Sequence, residues 1–150
     1  MISLHIILII FILLFAVIGS IRGWAKELLV TFSVILALFS MNILETFVPF
    51  FKATISTSLP TSVFWIRSGI LSTLVFFGYQ TPKIQRLVDS GRFIRNVLQD
   101  SLLGGFLGAI NGYIIFGSIW YYLNAAGYPF SFVTPPDPNT INGIAALNWV

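Results

Sequence analysis

Titratable side chains are scarce in this sequence of 150 residues, and their types exclude most active-site chemistry. The chain has one histidine and no cysteine, so a single copy cannot supply a nucleophilic triad or a zinc site made of several His and Cys ligands. We expect all five acids to be solvated at helix ends or in loops: Glu27, Glu45, Asp89, Asp100 and Asp137. Neither a paired acid–base site nor an intramembrane proton relay is then supported, and we predict that the protein is not an enzyme.

Two side chains could contact something outside the chain. His5 could ligate the metal of a chlorin or haem through a neutral imidazole nitrogen, although an interfacial histidine bonded to water or headgroups is the ordinary alternative. Arg67 is expected to extend to the headgroups, or else to pair with a lipid phosphate or with an acid of another subunit. No cofactor is predicted. The aromatic content of 16% is compatible with peripheral lipid, quinone or pigment contacts, but phenylalanine is also an ordinary lipid-facing residue.

Long stretches without charge must position these few groups. Residues 1–21 and 28–44 carry no charged side chain. In a helix, about 20 apolar residues match a hydrocarbon core of about 30 Å. Charged residues make up 9% of the chain, against about 25% in an ordinary globular domain, and the mean hydropathy is +0.92. We therefore predict an all-α, polytopic integral membrane protein with about four transmembrane helices.

One transmembrane domain is expected over residues 1–126, with spans near 2–20, 24–44, 61–79 and 101–126. The first stretch lacks a basic start and is too long for the core of a secretory signal, so we do not expect its cleavage. Between the second and third spans, residues 45–62 include two prolines and many hydroxyl side chains. This interval is predicted to be a loop with partial insertion of its phenylalanines into the interface.

Basic residues at the helix ends predict the orientation. A short joint separates the first two spans, in which glycines allow a sharp turn and the larger side chains suit the headgroup region. Its members are Gly19, Arg22, Gly23, Trp24 and Lys26. Six of the eight basic residues fall in this joint or in the connector after the third span. By the positive-inside rule, the protein is multi-pass with both termini on the non-cytoplasmic side.

The connector, residues 83–100, has apolar residues at helical spacing with basic residues between them. It is predicted to be an amphipathic helix on the membrane surface, and a plain charged connector is an equally good interpretation. On such a helix, three arginines would face anionic lipid: Arg86, Arg92 and Arg95.

The tail, residues 127–150, is rich in proline, too short in apolar sequence to span, and predicted to be non-cytoplasmic. It either lies on the headgroups or docks on a partner. Docking would use three apolar side chains: Ile144, Leu147 and Trp149.

Small residues recur along one face of the fourth span: Gly104, Gly105, Gly108, Ala109 and Gly112. Four-residue spacing stacks them on one side of a helix, where they allow a second backbone to approach closely in lipid. The sequence leaves open whether that second helix is internal or belongs to another chain. Asn111 is expected to bond to a neighbouring helix.

Two runs resemble the CvpA family, the colicin V production proteins. The joint, from Gly19 through Arg22-Gly23-Trp24 to Glu27, is similar to that family's joint after its first span, and Asp100 with the spaced glycines is similar to its last span. The resemblance implies a small polytopic protein of the bacterial inner membrane, implicated in colicin export or envelope physiology and without an established catalytic activity. The chain departs from the family in two ways: Ser3 and His5 stand where an acidic residue is typical, and the proline-rich tail has no counterpart.

Three functions remain. We favour a structural or accessory subunit that packs against other integral membrane subunits in a transport, respiratory or photosynthetic complex. The alternatives are an export or envelope factor working as a homo-oligomer and, less favoured because no acid lies in mid-span, a transporter or channel component. Nucleic acid is not expected as a partner, since the basic residues lie where headgroups compete for them.

Overall fold

A computed structural model describes residues 4–80, 97–131, 133 and 135–148. Regular structure in these ranges is entirely helical and comprises α1 (Leu4–Arg22), α2 (Trp24–Phe47), α3 (Pro49–Thr57), α4 (Pro60–Tyr79), α5 (Val97–Ala125) and α6 (Ile141–Leu147). Four of them, α1, α2, α4 and α5, are long and apolar enough to cross a membrane. The all-helical class is therefore confirmed over the described residues, and the long apolar helices are those expected of a protein that spans a membrane. Most of the connector, with Arg86, Arg92 and Arg95, lies outside the described residues.

The expectation of a loop over residues 45–62 is wrong. Helix α2 continues to Phe47, and after the extended Val48 the chain forms the short helix α3. Pro49 and Pro60 occupy the first turns of α3 and α4, where their missing N–H groups cost nothing. Pro49 thus begins a helix inside the interval predicted to be a loop, whereas Pro60 begins α4 next to the predicted start of the third span.

The spanning helices form a core of three with α1 on its outside. Side chains of α2, α4 and α5 share one apolar cluster that includes Val34, Leu71 and Ile115. Helix α1 runs antiparallel to α5, and the rings of Phe11 and Phe116 stack there with centroids 3.6 Å apart. We call the end with Arg22, Trp24, Tyr79 and Asp100 the joint end, and the end with Leu4, Phe47, Pro60 and Ala125 the tail end.

The tail folds back onto the tail end. Trp120 Nε1 donates to the Tyr128 hydroxyl at 3.1 Å, and the Phe130 ring lies edge-on to Phe64. Burial raises the pKa of the Tyr128 hydroxyl, and the bond from Trp120 opposes that shift in part. Farther on, Ala146 of α6 packs on Leu8 and Trp120. The tail thus covers part of its own bundle.

Candidate functional site

The joint turns at Gly23, whose φ of +86° favours glycine. A Cβ at this position would also lie 3.0 Å from Asp100 Oδ1, so the Asp100 side chain would have to move. Asp100 Oδ1 accepts a hydrogen bond of 3.1 Å from the Trp24 N–H. A carboxylate from α5 therefore caps the N-terminus of α2, where the helix dipole favours negative charge.

Glu27 is the group that sequence reasoning misplaced most. Its side chain is completely buried, so the expectation of a solvated carboxylate is wrong. Arg22 Nε lies 2.9 Å from Glu27 Oε1 as an ion pair, although the two atoms do not meet the geometry of a hydrogen bond. Asn111 Nδ2 donates to Glu27 Oε2 at 3.0 Å and to the Glu27 carbonyl at 3.1 Å. Both carboxylate oxygens are therefore engaged with partners inside the chain.

The surrounding groups complete what we call the joint cluster: Arg22, Glu27, Thr31, Tyr79 and Asn111. Thr31 Oγ1 donates to Asn111 Oδ1 at 2.8 Å, which orients the amide toward Glu27. The Arg22 guanidinium lies 4.4 Å from the centroid of the Tyr79 ring, and the Tyr79 hydroxyl is buried. The cluster joins α1, α2, α4 and α5 and balances one cation with one anion. Asn111 does bond to a neighbouring helix, as expected.

A second ion pair lies at the tail end. Arg67 Nε donates to Glu45 Oε1 at 2.8 Å and Nη2 donates to Oε2 at 3.1 Å, a bidentate contact between α4 and α2. Arg67 thus pairs with an acid of its own chain, an arrangement that the sequence analysis did not consider. In the part of the chain described, no group of three His, Cys, Asp or Glu side chains is placed to hold a metal ion.

The small-residue strip of α5 faces α1. Added Cβ atoms would lie 3.0 Å from Gly23 Cα at Gly104, 3.1 Å from Gly19 Cα at Gly108 and 2.8 Å from Phe15 Cβ at Gly112. Gly105 likewise lies against α1, and Ala109 is half-buried. The mate of the strip is therefore internal, and we call this contact the glycine seam.

The remaining candidates lie apart from the joint cluster. His5 is half-buried in the first turn of α1 and interacts with the rest of the chain. Lys26 is half-buried at the joint end. Ile144 and Leu147 of α6 are 51% and 44% exposed, while Trp149 lies outside the described residues.

Sequence reasoning missed Glu27 because it lies only three residues from the start of its helix. A signal was present: the buried residues of α2 recur at alternating spacings of three and four, and Glu27 begins this series, followed by Val30, Val34, Ala37 and Met41.

Comparison of the chain with protein-family models, with curated proteins and with solved structures finds no match.

Proposed function

We propose that this chain is a non-enzymatic structural subunit of the bacterial inner membrane that acts by packing against other integral membrane proteins, with both termini on the non-cytoplasmic side. The use of its charged groups supports this role. Three of its acids each accept a hydrogen bond from a helix other than their own: Glu27, Glu45 and Asp100. These acids therefore hold helices together.

The observation that carries the proposal is the outer face of α1. The glycine seam covers one side of this helix, and the other side exposes only aliphatic large side chains: Ile6, Ile9, Ile10, Leu13, Leu14, Val17 and Ile21. Exposed positions on α2 and α4 include phenylalanine and tryptophan. Isoleucine and valine are stiff at χ1 and lose little entropy when a second helix packs on them, so α1 presents a suitable surface for a partner helix.

Photo-crosslinking in native membranes tests the proposal. A photoreactive residue replaces Leu13 on the outer face of α1, and the matched control replaces Leu36 of α2; the two leucines are 61% and 57% exposed. We expect one discrete protein adduct from position 13 and none from position 36. An adduct with twice the mass of the chain would favour the homo-oligomeric export or envelope factor that the CvpA resemblance implies. Lipid adducts alone at both positions would refute the subunit role.

A further inference from the structure

A groove opens between α2 and α5 at the lipid-facing surface. Its apolar part has a volume of about 350 Å³ and is lined by Leu38 of α2 and by residues of α5 that include Ile114, Gly117 and Tyr121. Beyond the adjoining residues of α5, no atom lies within 4 Å of a Cβ built on Gly117, so the absence of a side chain there leaves open space. The groove is thus open at Gly117 toward the surrounding lipid phase.

Toward the tail end the groove becomes polar. A second hollow of about 190 Å³ shares Leu38 and Tyr121 with the first and reaches Asn42, Glu45 and Arg67. Exposed Tyr121 and Trp65 place this end at the level where aromatic residues meet headgroups. This order, apolar lining followed by polar groups, is the order of acyl chain and headgroup in a phospholipid.

The ion pair determines which headgroup fits. The side chains of Arg67 and Glu45 are 20% and 30% exposed, and their bidentate contact uses Nε and Nη2 of the guanidinium. Nη1 can still donate to a phosphate, and the carboxylate has further lone pairs for an ammonium group. Because Arg67 and Glu45 neutralise each other, the pair matches a zwitterionic headgroup whose phosphate and ammonium face the guanidinium and the carboxylate. An anionic headgroup lacks the ammonium, and a trimethylammonium headgroup has no N–H to donate.

We propose that this groove is a binding site for phosphatidylethanolamine, with an acyl chain along Leu38 and Gly117, the phosphate on Arg67 and the ammonium on Glu45. The site does not depend on the proposed subunit role, because it needs no second protein.

The test measures lipid dissociation constants of the purified full chain by native mass spectrometry. Phosphatidylethanolamine, phosphatidylcholine and phosphatidylglycerol with identical acyl chains are compared. We expect the ethanolamine lipid to bind about tenfold more tightly than either of the others, as one additional charge-assisted hydrogen bond would give. Equal binding of all three lipids would overturn the proposal.

Two variants and a control locate the site. Gly117→Leu fills the groove and is expected to abolish the preference, whereas Gly69→Leu, at an exposed glycine of α4 that also has no neighbour within 4 Å, retains it. Glu45→Gln leaves the Arg67 charge alone and is expected to shift the preference to phosphatidylglycerol. Retention of the preference in Gly117→Leu, or its loss in Gly69→Leu, contradicts this location. Helix content by circular dichroism shows that each variant is folded, and the pair of glycine variants decides the outcome even if Glu45→Gln does not fold.

Discussion

One added methyl group at the glycine seam is expected to destabilise the contact between α1 and α5. In Gly108→Ala, the new Cβ would lie 3.0 Å from the Phe15 carbonyl carbon and 3.1 Å from Gly19 Cα, with the Phe15 carbonyl oxygen closer still. Carbon atoms pack best at about 3.5–4.0 Å. All three neighbours belong to the backbone of α1, so no side-chain rotation relieves the contact and α1 must move away from α5.

The matched control is Gly117→Ala on the same helix, where no atom lies within 4 Å of the added Cβ. Alanine favours helix over glycine by up to about 1 kcal/mol, and this gain applies to both variants. Overpacking at Gly108 costs about 1–3 kcal/mol. The two variants should therefore differ by about 2 kcal/mol in the free energy of unfolding, with Gly108→Ala the less stable.

The assay is equilibrium unfolding in mixed micelles of increasing SDS fraction, followed by tryptophan fluorescence and by circular dichroism. A difference of about 2 kcal/mol changes the unfolding equilibrium constant by about 30-fold and is readily resolved. If Gly108→Ala is as stable as Gly117→Ala, the helices are not in backbone contact at the seam, and the reasoning from the Cβ positions fails.

Two further predictions concern the charged groups, and a third concerns the orientation of the chain. Glu27→Gln leaves Arg22 without its anion and should lower the free energy of unfolding by about 3 kcal/mol. In a double-mutant cycle, adding Arg22→Gln should recover part of that loss, and additive losses would contradict the ion pair. Asp100→Ala should cost about 0.5–2 kcal/mol as a lost cap and Asp100→Asn less, because asparagine still accepts a hydrogen bond; equal losses by thermal denaturation would argue against capping. An impermeant thiol reagent outside whole cells should label a cysteine at Asn142 and not one at Gln85, and the reverse labelling would invert the proposed orientation.

The four long apolar helices were predictable from the sequence because charge-free length is a local property, whereas the short helix α3 was not. The predicted span 2–20 compares with α1 at Leu4–Arg22, and the predicted span 24–44 with α2 at Trp24–Phe47. Long-range pairing was not predictable by the same means. The position of Glu27 near a predicted span end indicates a solvated carboxylate, and its partner Asn111 lies 84 residues away, where local patterning does not reach.

The helix that packs on the glycine strip of α5 was not predictable for a related reason. Small residues on one helix show only that some backbone can approach, and the sequence pattern assigns Gly19 to the turn of the joint. In the structure Gly19 serves close packing: a Cβ there would lie 2.9 Å from Gly108 Cα. Gly19 therefore lies beside the turn in the sequence and also forms part of the glycine seam in the structure. The pattern of a single sequence does not distinguish these two roles.

The seam and the joint cluster together determine how α1 is attached. Between Phe15 and Gly19 the backbone of α1 lies directly against the glycines of α5, and at the end of α1 Arg22 pairs with Glu27 of α2. The dispersion energy of a close backbone contact is largely lost when the two helices move apart by a small distance. The energy of an ion pair decreases more gradually with the same movement. A seam variant such as Gly108→Ala should consequently loosen α1 while the three-helix core persists. Because the outer face of α1 is the proposed partner surface, loss of position-13 crosslinks in Gly108→Ala, with core helix content retained, would connect the seam to partner binding.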